Sequence, residues 1–262
     1  MPRASFLLAK WYLDVVTDEG ALAVVYAARL RWGRLRAAYA SVLIDAPGVP
    51  PLEEATVRGV ERPRLAGDEL SWASAWLAVR GTWRRLARPI RQNLIRTPAG
   101  SLQWACHMPL ARATVRCGDR VLSGLGYAEG LRLSIAPWRL PFDTVHWGHH
   151  ASDRRSLVWI AWDGRERRQW IWLDGHEQPA AAITDDGIHG LAGGEAHHVE
   201  AGRVVRDRRV LSTVTDALPR LAARLAGPLA RMRETKRLGR SAVDGAGGPA
   251  DRGWTLHEVV RW

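Results

Sequence analysis

Apolar and polar side chains alternate along short segments of this chain, and this period of two constrains the fold more than any other feature. The clearest example begins the stretch from Leu122 to Gly164. Successive side chains of a strand point to opposite faces. One face here would carry a leucine-rich row: Leu125, Tyr127, Glu129, Leu131 and Leu133. The segment therefore predicts a strand whose apolar face also holds a tyrosine and a carboxylate.

Segments of the same kind recur along the chain, separated by turns that contain glycine or proline. Their spacing of about 8 to 12 residues is typical of antiparallel barrels and sandwiches. The pattern predicts about 14 to 18 strands. It predicts one dominant helix, from Thr215 to Leu225, with Asp216 at its N-cap and Pro219 in its first turn.

The two halves of the chain share an outline, which predicts two similar domains. Residues 10–33 and 139–164 each run through a strand, a polar turn, an apolar strand and a glycine. A β-barrel of about eight strands can enclose one small ligand, and two of them fill a chain of this length. We expect the first domain to cover residues 1–135 and the second residues 136–262.

The net charge of +11 comes almost entirely from arginine, and it limits the partners. The arginines are scattered and match no nucleic-acid-binding motif, so we expect no nucleic-acid partner. A basic protein can still make peripheral contact with an anionic membrane. The apolar run near the N-terminus is too short for a signal peptide, which predicts a cytoplasmic protein. Whether Cys106 and Cys117 pair stays open.

The histidine pairs do not predict a metal site. His149 and His150 are adjacent, as are His197 and His198. Neighbouring side chains of a strand point to opposite faces, so each pair would offer one ligand per face. The chain has no HExxH or comparable spacing, and it has no phosphate-binding loop or dinucleotide fingerprint. We therefore expect neither a metal nor a cofactor.

Three short motifs resemble one protein family. Trp11, Tyr12 and Asp14 in KWYLDVV resemble a WWYFD-type opening, and the segment GLGYAEGL resembles a mid-chain GxGYxD element. The final WTLHEVVRW resembles a closing strand. All three are similar to the carotenoid 1,2-hydratase or AttH-like family, two-domain lipocalin-like proteins related to tocopherol cyclase and fungal Diels–Alderases. Glu129 stands where the hydratases have aspartate.

This resemblance implies an all-β protein with two lipocalin-like antiparallel barrel or sandwich domains and one or two short helices. It also implies acid-assisted chemistry on a hydrophobic small molecule such as an isoprenoid, polyene or polyketide. A carboxylic acid that an apolar site keeps neutral can protonate an alkene. Tryptophan faces can stabilise the resulting cation, each by about 0.5 to 2 kcal/mol.

Several side chains are candidates for these roles. The catalytic candidates are Glu129 as proton donor with Tyr127 as its partner, followed by Asp14, His146 and Glu258. The substrate-binding candidates are Trp11, Tyr12, Trp104, Trp147, Trp159 and Trp254. Each candidate also has a structural interpretation. Tyr127 and Glu129 could form an ordinary buried hydrogen bond, Asp14 could cap a turn, Glu258 could pair with a core arginine, and His146 could be a satisfied strand histidine.

The sequence thus predicts a hydratase-type or cyclase-type enzyme, a lyase if it adds water, that moves a proton in a barrel cavity. Two alternatives remain. One is a lipid or pigment carrier of the same fold without catalysis. The other is a pericyclase that folds its substrate and excludes water.

Overall fold

The computed structural model describes residues 6–184, 187–209, 231–245 and 249–262. The chain divides into two compact units, the first ending at Leu140 and the second beginning at Pro141. We call them unit 1 and unit 2. The predicted helix from Thr215 to Leu225 lies outside the described residues.

Unit 1 is a curled antiparallel sheet of ten strands. Their bounds are β1 Phe6–Val16, β2 Leu22–Trp32, β3 Leu35–Ala46, β4 Val49–Thr56, β5 Arg64–Ala66, β6 Glu69–Ser74, β7 Val79–Arg85, β8 Ile90–Thr97, β9 Gly100–Cys117 and β10 Arg120–Leu133. The strand order is β4-β3-β2-β1-β10-β9-β7-β6-β5, and β8 also pairs with β9. The last strand therefore lies beside the first at the centre of the sheet.

Unit 2 is a second curled antiparallel sheet of ten strands. Their bounds are β11 Phe142–Ala151, β12 Ser156–Gly164, β13 Arg168–Leu173, β14 His176–Glu177, β15 Ala182–Ile183, β16 Gly187–His189, β17 Ala196–Val199, β18 Arg203–Arg209, β19 Arg233–Asp244 and β20 Asp251–Arg261. The order is β14-β13-β12-β11-β20-β19-β17-β16-β15, and β18 also pairs with β19. This is the order of unit 1 repeated strand for strand.

The predicted all-β class is confirmed. Within the described ranges, the helical elements are three short 3-10 turns at Ala75–Leu77, Pro137–Arg139 and Ala192–Gly194. In that part of the chain no helix is long and apolar enough to cross a membrane. Cys106 and Cys117 are both buried and both free thiols, which answers the question that the sequence left open.

In the core of each unit, a buried tryptophan packs where nearby glycines leave space. In unit 1 the fully buried indole of Trp83 lies against Gly81 and Gly126, and its Nε1 donates to the Asp14 carbonyl at 2.7 Å. In unit 2 Gly148 is paired with Trp159 across β11 and β12, and a Cβ at residue 148 would lie 2.2 Å from the indole. Glycine is thus used here for close packing rather than for a turn.

Candidate functional site

Glu129 lies on the predicted apolar face of β10, and 8% of its surface is exposed. Its Oε2 accepts two hydrogen bonds, one from the Trp104 indole at 2.5 Å and one from the Tyr127 hydroxyl at 2.7 Å. Trp104 comes from the neighbouring strand β9. Two donors on one oxygen favour a negative carboxylate, because they replace the water that an ionised group loses on burial. We call Glu129, Tyr127 and Trp104 the Glu129 site.

The groups around Glu129 are held in their protonated forms. Burial raises the pKa of Tyr127 well above its usual value, and the neighbouring Cys106 and Glu129 raise it further. Burial also raises the pKa of Cys106 well above its usual value, with Glu129 adding to the effect. Tyr127 therefore stays a hydrogen-bond donor across the physiological pH range. The Glu129 site combines a buried carboxylate with a phenol that keeps its proton.

Two predicted residues of β1 lie on the same sheet face as Glu129. In the register of β1 with β10, Tyr12 is opposite Glu129 and Asp14 is opposite Tyr127. The Tyr12 ring meets that of Tyr127 edge to face with centroids 6.1 Å apart, and Asp14 is fully buried. Paired residues share a face. The structure thus gathers Tyr12, Asp14, Trp104, Tyr127 and Glu129 on one face of unit 1.

Trp11 lies on the opposite face of β1. It packs against the core cluster of unit 1, and its ring stacks on His107 with centroids 4.8 Å apart. This placement follows from the period of two, since Trp11 and Tyr12 are adjacent.

Glu258 is buried in unit 2 beside a lysine rather than an arginine. Its carboxylate contacts the ammonium group of Lys236, which is 0% exposed. The same Nζ lies 3.7 Å from Glu234 and 5.6 Å from the centre of the Trp147 ring. Arg206 approaches Glu234 at 3.4 Å, so two cations face two carboxylates. The salt bridge expected as the structural role of Glu258 is present, with Lys236 as the cation.

His146 and Trp159 lie on the other face of the unit 2 sheet, where they line a cleft of about 610 Å³. His146 Nε2 is 3.8 Å from the Asp163 carboxylate, and its ring stacks on His257 with centroids 5.9 Å apart. The last tryptophan candidate, Trp254, lies under the guanidinium of Arg240 at 4.0 Å. The predicted site residues are therefore distributed over both units.

The sequence interpretation missed Lys236, His197 and His257. Lys236 had a usable signal, because it is one of two lysines in a chain whose other basic residues are arginines. A lysine on the buried face of a strand requires a buried carboxylate, and Glu234 shares the face of Lys236 on β19. The sequence also contained a signal for His257, because it is adjacent to Glu258 and therefore lies on the opposite face of the last strand. In the described part of the chain, no group of three His, Cys, Asp or Glu side chains has the geometry to hold a metal ion.

No family model and no curated protein sequence matches this chain. Several solved structures do match it in fold. CghA, a Diels–Alderase solved with Sch210972, superposes with a TM-score of 0.61 at 11% identity, over 98% of this chain and 88% of CghA. A putative AttH from Nitrosomonas europaea gives 0.54 at 10% identity, over 97% of this chain and 92% of its own.

Kievitone hydratase from Nectria haematococca gives a TM-score of 0.54 at 8% identity, over 98% of this chain and 89% of the hydratase. The chain therefore has the AttH-like, lipocalin-like fold that the motif resemblance implies. Proteins with this fold include a hydratase and a Diels–Alderase.

Proposed function

We propose that this chain is a hydratase-type or cyclase-type enzyme that moves a proton to or from a hydrophobic small molecule at the Glu129 site. The observation that carries the proposal is the burial of Glu129 with the Trp104 and Tyr127 donors on one carboxylate oxygen. Holding a carboxylate in an apolar environment costs several kcal/mol, and enzymes use such groups for general acid–base catalysis.

The two donors give Glu129 the role of a base first and an acid second. As a carboxylate, Glu129 can take a proton from a water molecule while the oxygen of that water bonds to one carbon of a double bond in the substrate. Protonated Glu129, a neutral acid in an apolar setting, then returns the proton to the other carbon, so that water is added across the double bond and the carboxylate is restored. Tyr127 orients Glu129 in both steps, since its raised pKa keeps its own proton in place.

The surroundings of Glu129 favour an apolar substrate. Leu133, Cys106 and Tyr12 are buried on the same face, with exposures of 4%, 0% and 1%. A substrate that reaches Glu129 would lie among apolar side chains, and an apolar molecule gains about 25 cal/mol for each Å² of its own surface that it removes from water. An isoprenoid, polyene or polyketide fits this description.

A pericyclase is the second candidate, and the similarity to CghA favours it. In that case the protein would fold the substrate, and Glu129 would orient it without exchanging a proton. A carrier without catalysis would bind the same molecules and release them unchanged.

One experiment separates the three functions. An apolar extract of the source cells is incubated in D₂O with the wild-type protein and with Glu129→Gln, and the products are identified by mass spectrometry. Proton transfer predicts a new product carrying deuterium on carbon, absent with Glu129→Gln. A pericyclase predicts a product without carbon-bound deuterium that Glu129→Gln still forms. Recovery of only unchanged bound molecules identifies a carrier and contradicts the proposal.

The matched control is Glu177→Gln, which makes the same change at an exposed glutamate of β14. It should leave product formation at the wild-type rate. Equal loss in both variants would show that the effect of Glu129→Gln is not specific to the Glu129 site.

A further inference from the structure

The cleft of unit 2 is not used by the proposed function. It lies on the sheet face that carries the unit 2 core cluster, whereas the Glu129 site belongs to unit 1. Its volume of about 610 Å³ falls in the range of about 300 to 1,000 Å³ typical of small-molecule sites. The lining includes the buried residues Trp159, Ile188 and His197, and the half-buried His146 and His257. We call it the unit 2 cleft.

Four aromatic rings meet in the unit 2 cleft. His146 and His257 are stacked at 5.9 Å, while Trp159 lies tilted at 5.5 Å from His197 and 6.0 Å from His257. The glycine at position 148 makes this possible, because any Cβ there would displace the indole of Trp159. A surface made of ring faces and edges is complementary to a flat ring in the ligand.

The polar groups of the cleft do not select a charged ligand. The charged residues of the exposed rim are two carboxylates and two guanidinium groups: Asp163, Glu200, Arg167 and Arg237. Arg167 is 3.4 Å from Asp163, so part of this charge is already neutralised. A charged ligand would be attracted by the two rim groups of opposite charge and repelled by the two of like charge. These effects oppose each other, so the rim favours a neutral molecule.

The histidines give the cleft neutral hydrogen-bonding groups. Burial is the main cause that lowers the pKa of His257 to about 4, which leaves its imidazole uncharged at neutral pH. A neutral imidazole carries one donor and one acceptor nitrogen. A hydroxyl group can match either nitrogen, since it both donates and accepts.

From these contacts we infer that the unit 2 cleft is a separate binding site for a neutral aromatic molecule with a hydroxyl group, a phenol. The aromatic ring packs against Trp159, and the hydroxyl group bonds to the imidazoles of His257 and His146. The inference goes beyond the proposed function and does not depend on it.

Three probes of nearly the same size test the chemistry: 2-naphthol, naphthalene and 2-naphthoate, titrated calorimetrically into the full chain at neutral pH. We expect 2-naphthol to bind about 3- to 10-fold more tightly than naphthalene, the effect of one neutral hydrogen bond. The anion 2-naphthoate should bind more weakly than 2-naphthol. Equal binding of 2-naphthol and naphthalene, or preferred binding of 2-naphthoate, would overturn the inference.

Two variants locate the site. His257→Leu removes one of the two hydrogen-bonding imidazoles and should lower the ratio of 2-naphthol to naphthalene affinity. Because His257 is half-buried, Ala201→Trp provides a second test at an exposed position of the cleft lining. Its indole would fill space that the ligand needs and should weaken 2-naphthol binding at least about tenfold. Unchanged binding by Ala201→Trp would contradict the assignment to this cleft.

Controls separate this inference from the proposed function. Ala99→Trp makes the same change at an exposed turn of unit 1 and should leave 2-naphthol binding unchanged. In ¹⁵N-histidine spectra of the wild-type protein, 2-naphthol should shift His146 and His257 but leave His107 of unit 1 in place. A shift of His107 alone would place the ligand in unit 1 and overturn the inference, without bearing on proton transfer by Glu129.

Discussion

The ammonium group of Lys236 contacts the carboxylate of Glu258 in unit 2, and Lys236 is 0% exposed. Lys236→Met should therefore leave Glu258 and Glu234 with less compensation for their buried charge. Removing one partner of a buried ion pair typically costs about 3 to 5 kcal/mol. We expect a loss of that size in the free energy of unfolding, measured by urea denaturation.

Lys10→Met is the matched control, because Lys10 and Lys236 are the two lysines of the chain. Lys10 is half-buried and lies 4.6 Å from the centre of the Tyr26 ring. A cation–π contact of this kind contributes about 0.5 to 1 kcal/mol. Similar losses of unfolding free energy in the two variants would show that the buried ion pair of Lys236 stabilises the protein no more than the cation–π contact of Lys10 does.

Tyr127→Phe and Trp104→Phe should destabilise the protein in a coupled way, since both side chains donate to the same oxygen of Glu129. Each removes one donor from a buried carboxylate, at a cost of about 1 to 3 kcal/mol. In a double-mutant cycle we expect a coupling energy of about 0.5 kcal/mol or more. Strict additivity in urea denaturation would mean that Glu129 does not link the two donors.

Stability should fall as the pH is lowered from neutral. Burial is the main cause that lowers the pKa of His150 to about 3 and that of His197 to about 2, from an ordinary value of 6.5. Below pH 6.5 these two histidines become protonated in the unfolded chain but stay neutral in the folded protein. Protonation therefore favours the unfolded chain, and stability is lost as the pH falls toward the folded pKa values. Between about pH 7.5 and about pH 5.5 each should contribute a loss of about 1.4 kcal/mol.

Denaturation of His197→Gln at several pH values checks this linkage. Over that interval the variant should lose about 1.4 kcal/mol less stability than the wild type, because one titrating group is gone. His176→Gln, at an exposed histidine of β14, should keep the full dependence. A wild-type pH dependence in His197→Gln would contradict the assignment of this titration to His197.

The fold class was predictable because the alternation of apolar and polar side chains indicates strands without any knowledge of which strands pair. The alternation of Tyr127 and Glu129 with glycine and alanine placed both on one face, and their hydrogen bond follows from that spacing. The similar outline of the two halves likewise corresponds to two sheets with the same strand order.

The candidate site was only partly predictable, because strand pairing decides which distant residues meet. Glu129 lies beside Trp104 and Glu258 beside Lys236, each separated from its partner by more than twenty residues. Alternation shows which face a residue occupies but not which strand lies beside it. The sequence therefore ranked the acidic candidates one by one, and it is the structure that assigns Glu129 and Asp14 to unit 1 and Glu258 to unit 2.

Gly148→Ala should destabilise unit 2 by about 1 to 3 kcal/mol, because the new methyl group would overlap the indole of Trp159. The ideal Cβ lies 2.2 Å from Cζ2 of that ring, so the indole or the backbone must shift. Gly130→Ala is the control, since its Cβ would lie 3.3 Å from the His107 ring, a contact that a shift of a few tenths of an ångström relieves. In a Trp159→Leu background the cost of Gly148→Ala should fall by about 1 kcal/mol or more. An equal cost in both backgrounds, measured by urea denaturation, would show that the close approach of residues 148 and 159 does not determine the packing of unit 2.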